Sequence, residues 1–304
     1  MSYLAVGFSG KCIRIISVRD NKEINLISEI ETFQMFNFEV SKYHNNPAVI
    51  TELGEKISSV IKNKGEYSGK VSVSLDSNIF FINTIPYEDS GNLQNTENAI
   101  KWDLTNYFSS SGNEFNVNYI KLHNPDLPPG IKSLLVLALS EKSLEFFKKV
   151  MSAAELEPGL IDIDHFSIDT VINEINSDFF KNNNVTVIGC KRNKIEYSRY
   201  SNGNLYDYNF FYFRDNTFEQ EVSKEKQKIC LGNPDKLFLY GEDYSEYLKN
   251  EISSEADSSK IEVLNPLTPA KQLNEKNRQY NGLYNYGYRF VPVLSTALKS
   301  IANR

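Results

Sequence analysis

The apolar positions of this chain switch repeatedly between a period of two and a period near 3.6, and each switch predicts an element. Tyr3–Phe8, Cys12–Val18 and Ile24–Glu31 are rich in β-branched residues and separated by Ser9-Gly10 and Asp20-Asn21, which predicts a meander of strands. From Ala48 to Lys64 the stripe Ile50, Leu53, Ile57, Val60 and Ile61 predicts a helix, stopped by Gly65 and Gly69. Strands follow at Lys70–Leu75 and Asn78–Ile85, then a helix over Thr96–Phe108 with Ile100, Leu104 and Phe108 on one face. Phe115–His123 and the apolar run Lys132–Leu139 read as strands. The connector Asn124–Gly130 between them is too rich in proline to join a ladder. Ser140 is placed to cap a helix over Glu141–Glu155, and Pro158-Gly159 ends that unit. A short strand, Leu160–Asp164, and a helix, Phe166–Phe180, complete the pattern.

Lys181-Asn182-Asn183-Asn184 is polar and turn-prone and marks a break after this helix. Beyond it the opening theme restarts. Val185–Cys190, Lys194–Tyr200 and Leu205–Phe213 predict another three-strand meander, with Asn202-Gly203 as a hairpin turn. Leu237–Tyr240 and Ile261–Leu264 read as strands on either side of a helix, Ser245–Ile252. An Asn- and Tyr-rich stretch, Gln272–Tyr288, leads to a C-terminal helix, Pro292–Ala302. Two halves that each open with a meander and continue through helices predict a duplicated α/β fold.

Composition narrows the function classes. The 304 residues suffice for two ordinary domains of about 100–200 residues each. With 40% hydrophobic and 24% charged residues the chain can bury sizeable cores. A net charge of −6 argues against nucleic acid as a partner, because phosphate binding needs a cationic footprint. No apolar run reaches the roughly 18 residues of a membrane span. The opening MSYLAVGFSGK lacks the basic segment and cleavage site of a secretory signal, which points to a cytoplasmic protein. Cys12, Cys190 and Cys230 are odd in number and far apart, a pattern of neither a disulfide framework nor a zinc site.

Four segments carry a family likeness. Leu4–Val18 (LAVGFSGKCIRIISV) has the layout of a first phosphate loop, and Lys70–Pro86 with the helix around Trp102 that of an inserted subdomain. Ser133–Thr170 runs through a strand, a helix, a Leu-Glu-Pro turn and a returning strand, and Gly287–Ser300 has the form of a closing helix. In this order the segments resemble the actin-like ATPase superfamily and, within it, the type IV pilus assembly family of PilM, relatives of the cell-division protein FtsA. The resemblance implies an actin-like (ribonuclease H-like) α/β fold of two domains, 1–182 and 183–304. An inserted small α/β subdomain would occupy about 77–158, the second helical subdomain would be reduced, and helix 292–302 would return toward the first domain.

In that superfamily ATP sits between the domains, its phosphates held by the backbone of two hairpin turns while an acidic residue in each places Mg²⁺. Here Gly7 stands at the first acidic position, Ser9 at the usual glycine and Arg14 at the usual lysine. In the second hairpin, Val187-Ile188-Gly189-Cys190, Ile188 replaces the acid. The adenosine loop, a run of glycines in the family, aligns with Leu239-Tyr240-Gly241-Glu242-Asp243 and keeps only Gly241. Only about twenty residues separate Arg214 from Lys236, where the family carries a helical wall of the cleft. The degenerate positions are thus Gly7, Ser9, Gly10, Ile188, Cys190 and Gly241, and the expectation is a non-catalytic chain without ATP, Mg²⁺ or another cofactor.

Other constellations have plainer explanations. Asp162, Asp164, His165 and Asp169 could form a metal site, or Asp164 could cap the following helix while the others face solvent. Ser9-Gly10-Lys11 falls short of a phosphate-binding loop and reads as hairpin closure. Cys12 and Cys190 read as small buried hydrophobes. No nucleophile elbow is present. The Tyr-rich run Tyr280–Tyr288 and Asn116–Tyr119 are candidate sticky surfaces, and the single Trp102, off the apolar stripe of its helix, and Tyr107 are candidate partner contacts. The PilM resemblance implies a cytoplasmic scaffold peripheral to the inner membrane that captures the N-terminal tail of a PilN-like single-span membrane protein. Other platform proteins and further copies of the chain would be additional partners, with no nucleic acid. Two alternatives stand beside it: an active actin-like ATPase or kinase, with Asp162 or Asp164 holding Mg²⁺, and an interaction module unrelated to pili.

Overall fold

The computed structural model describes residues 2–62, 70–88, 93–108, 114–123, 131–214, 216–242, 246–267, 283 and 285–302. Gly65, Gly69, the 124–130 connector, Asp243 and most of the 272–288 stretch lie outside them.

The chain begins with β1 (Ser2–Arg19), whose first limb, Ala5–Phe8, pairs in parallel with β3 (Val71–Leu75). Its second limb, Cys12–Val18, pairs antiparallel with β2 (Ile24–Phe36). Two separate strands were expected here. The chain instead stays extended through Ser9 and reverses at Gly10, where φ is 56°, a left-handed value that glycine adopts without strain. β7 (Pro158–Ile163) adds in parallel beside β3, completing a sheet of order β2-β1-β3-β7. The second sheet repeats the plan. β8 (Asn184–Cys190), β9 (Lys194–Ser201) and β10 (Asn204–Tyr212) form an antiparallel meander. β11 (Lys236–Gly241) and β12 (Ile261–Val263) then join in parallel, in the order β10-β9-β8-β11-β12.

Alternation along the strands sorts the side chains into layers. Leu4, Val6, Phe8, Ile13 and Ile15 face outward onto α1 (Pro47–Ile61) and α3 (Glu141–Ala153). Ser140 caps α3 as expected, accepting from the Ser143 N–H at 3.1 Å. In the second half Ile188, Leu237 and Leu239 face α5 (Phe218–Ile229) and α6 (Glu246–Ser253). The opposite faces of both sheets enclose α4 (Ile168–Asn182) and α7 (Val291–Ala302) in a central core that includes Ala5, Ile16, Val187, Phe238 and Leu294. Each such Val or Leu removed from water contributes about 1.5–3 kcal/mol.

Between β3 and β7 the chain builds a third sheet from β4 (Phe81–Glu88), β5 (Phe115–Leu122) and β6 (Ile131–Ser140), in the order β4-β6-β5. Ile100 and Leu104 of α2 (Leu93–Phe108) close one face over Ile85, Leu134 and Val136. The other face joins the central core through Ile82, Leu135 and Leu137, and the His123 N–H reaches the Leu205 carbonyl at 3.1 Å. The span 77–158 is therefore not one packing unit, because Phe146, Phe147 and Met151 of α3 belong to the outer core of the first sheet.

Candidate functional site

Asp76 follows β3, Asp164 follows β7, Lys191 follows β8 and Glu242 follows β11, so four strand ends deliver charge to one place between the sheets. Carboxyl ends of parallel strands are where open α/β sheets hold their ligands. Asp76 accepts from Ser9 Oγ at 2.7 Å, the Gly10 N–H at 3.2 Å and the Asn78 N–H at 2.9 Å. Asp164 accepts from the His165 N–H at 2.7 Å and the Ser77 N–H at 3.0 Å. Across the gap, Lys191 Nζ donates to Asp164 Oδ2 and lies 3.5 Å from Asp76 Oδ1 and 3.4 Å from Glu196 Oε1. Glu196 in turn accepts from Ser77 Oγ at 2.6 Å, Tyr208 Oη at 2.9 Å and Lys194 Nζ at 3.0 Å. Asp76, Asp164, Lys191, Lys194 and Glu196 are all buried.

Three carboxylates here share two ammonium groups, and that imbalance sets the protonation. Burial raises the Asp164 carboxyl to about 7, with Asp76 and Glu196 adding to the rise against the pull of Lys191. For Lys191 burial works against the charge, but the carboxylates of Asp164, Asp76 and Glu196 outweigh it and hold the ammonium protonated well above its usual range. Burial likewise pushes Glu196 up. The charges of Lys194 and Lys191, that of His165 once it protonates at low pH, and the Ser77 hydroxyl win, and keep it ionised below the usual carboxylate range. His165 is fully buried, with Nδ1 2.6 Å from Tyr240 Oη and Nε2 2.7 Å from Ser198 Oγ. Burial lowers it to about 4, so the ring is neutral at pH 7.

Outside this buried cluster the cleft opens into a cavity of about 540 Å³, lined among others by Gly10, Arg14, Arg192, Phe213, Phe218 and Glu242. Arg14 is buried against Glu29, Nε to Oε2 at 2.6 Å, and against Glu242 at 3.2 Å. Glu242 also accepts from Ser9 Oγ at 3.2 Å, so it ties the β1 turn to the second sheet.

A family model described as type IV pilus assembly protein PilM matches residues 5–230. The chain belongs to that family. Among solved structures it is similar to a chain of the PilM-PilN type IV pilus biogenesis complex, at 13% identity and a TM-score of 0.71 over 98% of both chains. It is also similar to a protein with actin-like ATPase fold and unknown function from Bacteroides thetaiotaomicron, at 14% identity and a TM-score of 0.51, over 87% of this chain and 91% of that one. The ethanolamine utilization protein EutJ from Carboxydothermus hydrogenoformans matches at 10% identity and a TM-score of 0.50, over 98% and 89%. These likenesses fix the fold as actin-like. No match to the sequence is found among curated proteins.

Within this PilM-family fold the degenerate positions take different roles. Gly7 faces α7, where an added Cβ would stand 3.2 Å from Val293 Cβ, close enough that the helix would have to give by a few tenths of an ångström. At Gly10 a Cβ would meet the Glu242 carboxylate at 2.5 Å. Gly241 has φ 122°, and a Cβ there would lie 2.2 Å from the Cys190 carbonyl. Ile188 corrects the sequence expectation. Its side chain lies in the outer core with Cys190, Ile195 and Leu237, away from the cleft. Alternation along β8 turns Gly189 toward the cleft instead, opposite Tyr240.

The Asp162–Asp169 group does not converge on one point. Asp162 pairs with Lys299 of α7 at 2.6 Å and Asp164 pairs with Lys191, so neither carboxylate is free for Mg²⁺. Asp164 does cap the turn, but His165 is sealed from solvent and burial raises Asp169, contrary to the solvated picture. Cys190 is buried as expected, whereas Cys12 is half-buried and borders the cavity, its thiol pushed up by burial. Trp102 is 69% exposed on α2, and Tyr107 is 61% exposed with its ring 4.9 Å from Phe81. Of the Tyr-rich run, Tyr286 is exposed beside Tyr288, ring centroids 6.2 Å apart, and 280–282 and 284 lie outside the described residues.

Three features of the cleft bear on a Mg²⁺-nucleotide. An ammonium sits among the carboxylates, Tyr240 is fully buried beside Gly189, and Glu242 lies against the first turn. Lys191, Lys194, Glu196 and Asp76 escape recognition in the sequence, since a Lys-Arg-Asn-Lys hairpin reads as a solvated turn. The available signal was position: Asp76 and Lys191 each directly follow a fully apolar or small-residue strand.

Proposed function

We propose that this chain is a non-catalytic scaffold of a type IV pilus or type II secretion-like assembly platform that binds the cytoplasmic tail of a PilN-like single-span membrane protein. The charge pairing at the base of the cleft is the observation that carries the non-catalytic part: Asp76, Asp164 and Glu196 are spent on Lys191. Membership of the PilM family and the likeness to a chain of the PilM-PilN complex support the partner. Among the described residues no helix is long and apolar enough to cross a membrane, so placement at the inner membrane would come from that partner. The docking surface we favour is α2, where Ile100 and Leu104 are spent on the small core and Trp102 projects outward. Calorimetry with the N-terminal peptide of a membrane protein encoded beside this chain tests the reading. Saturable binding supports it. Absence of binding together with ATP turnover by the purified chain overturns it.

A further inference from the structure

We propose that Lys191 is a built-in counter-ion that latches the two halves of the molecule shut, so that closure of the cleft needs no bound ligand. The ammonium projects from the β8–β9 hairpin of the second sheet and enters a socket made by Asp76 and Asp164 of the first. The socket is rigid before the lysine arrives. Asp76 is fixed by three donors from Ser9, Gly10 and Asn78, and Asp164 by the backbone N–H groups of Ser77 and His165. The hairpin that carries the lysine is equally constrained, because the Lys191 N–H donates to the Lys194 carbonyl at 2.8 Å and Glu196 Oε1 stands 3.4 Å from Nζ. Two buried carboxylates side by side repel or share a proton, and either way an empty socket offers the second half none of the attraction that the Lys191 ammonium supplies.

The same hairpin supplies further ties across the gap. Lys194 Nζ donates to Ser77 Oγ at 3.0 Å and Ser77 Oγ donates to Glu196, while His165 of the first half is held between Ser198 and Tyr240 of the second. These bonds need the halves already in register. Lys191 is the member whose charge is matched by acids of the opposite half.

The test is small-angle scattering on the full chain carrying Lys191→Ala. The radius of gyration should rise by about 1 Å or more from the roughly 19 Å of a compact chain of this length. Adding n-propylammonium, which replaces the atoms the substitution removes, should return it to the wild-type value, and tetramethylammonium, too large for the socket, should not. An unchanged radius, or opening that propylammonium does not reverse, overturns the proposal. Where Lys191→Ala alone fails to fold, the charge-balanced pair Lys191→Ala with Asp164→Asn replaces it, and an open shape is again expected. A wild-type radius in the pair would show the lysine only neutralises a buried acid. A pair that also fails to fold would make Lys191 part of the core, and either result removes the latch. The readout is shape, so it stands or falls separately from tail binding.

Discussion

Gly189 and Tyr240 are cross-strand partners on β8 and β11, and the glycine's missing side chain is the space that the tyrosine fills: a β-carbon at 189 would stand 2.6 Å from the phenolic oxygen and 2.8 Å from Cζ. Gly189→Ala should therefore displace the ring and pull its hydroxyl from His165 Nδ1. A loss of about 1–3 kcal/mol in urea unfolding is expected, from overpacking and from the hydrogen bond left unmade. Tyr240→Phe, which keeps the ring in place, should cost about 1 kcal/mol.

Nucleotide should leave the melting temperature unchanged. A specific ligand adds RT ln(1 + [L]/Kd) to stability, so ATP or ADP with Mg²⁺ at low-millimolar concentration would raise it visibly if a site existed. A rise that a bulky residue at Gly10 abolishes would show the cleft admits phosphates after all.

Trp102 and Leu104 lie two positions apart on α2 and should behave oppositely. Trp102→Ala is expected to weaken binding of the membrane-protein tail by about 2 kcal/mol or more with the melting curve unmoved. Leu104→Ala should cost about 2–5 kcal/mol of stability, because Leu104 is buried over Leu134 and Val136. Calorimetry and thermal melting of both variants separate the two effects.

The buried cluster predicts a pH dependence that cancels in the parent and appears in a variant. His165, lowered to about 4, favours the fold by its neutral form; that contribution is complete above about pH 6.5 and lost as pH falls through 4. Asp164, raised to about 7, favours the fold by its protonated form, and its contribution is lost as pH rises from near 3.8 through 7. The two slopes oppose each other between about pH 4 and 6.5. Glu196, held low, adds a rise with pH only below about 4.5. Asp164→Asn should leave the His165 slope exposed, with stability climbing by on the order of 3 kcal/mol from pH 4 to 6.5 in urea titrations. A flat profile in that variant would mean the imidazole is not the buried neutral group described.

Elements that bury one face were legible in the sequence because burial imposes a period. α1, α3 and the strands of both sheets, except the merged β1 limbs and β2, which runs on from Glu31 to Phe36, stand close to the expected ranges. α5 went unseen, because its core contribution reduces to Val222 and Ile229 within a charged run. The cleft was harder for a different reason. Family positions named Ile188, but the facing of β8 is set by which neighbours Val185 and Val187 pack against, and that turned Gly189 inward. Lys191 and Lys194 carried no local mark, since their partners across the cleft lie 27 positions away in sequence for Asp164 and 117 for Ser77.

α7 gives the molecule a particular order of birth. Its residues Val291, Val293, Leu294 and Ala297 cover the inner face of the first sheet beside Ala5, Ile16 and Val18, yet they leave the ribosome long after that sheet has been made. At about 5–20 residues per second the first sheet waits on the order of ten seconds with an apolar flank uncovered. The N-terminal half is thus obliged to emerge as a client of whatever shields nascent chains, and it becomes a finished object only when synthesis has passed the second half entirely.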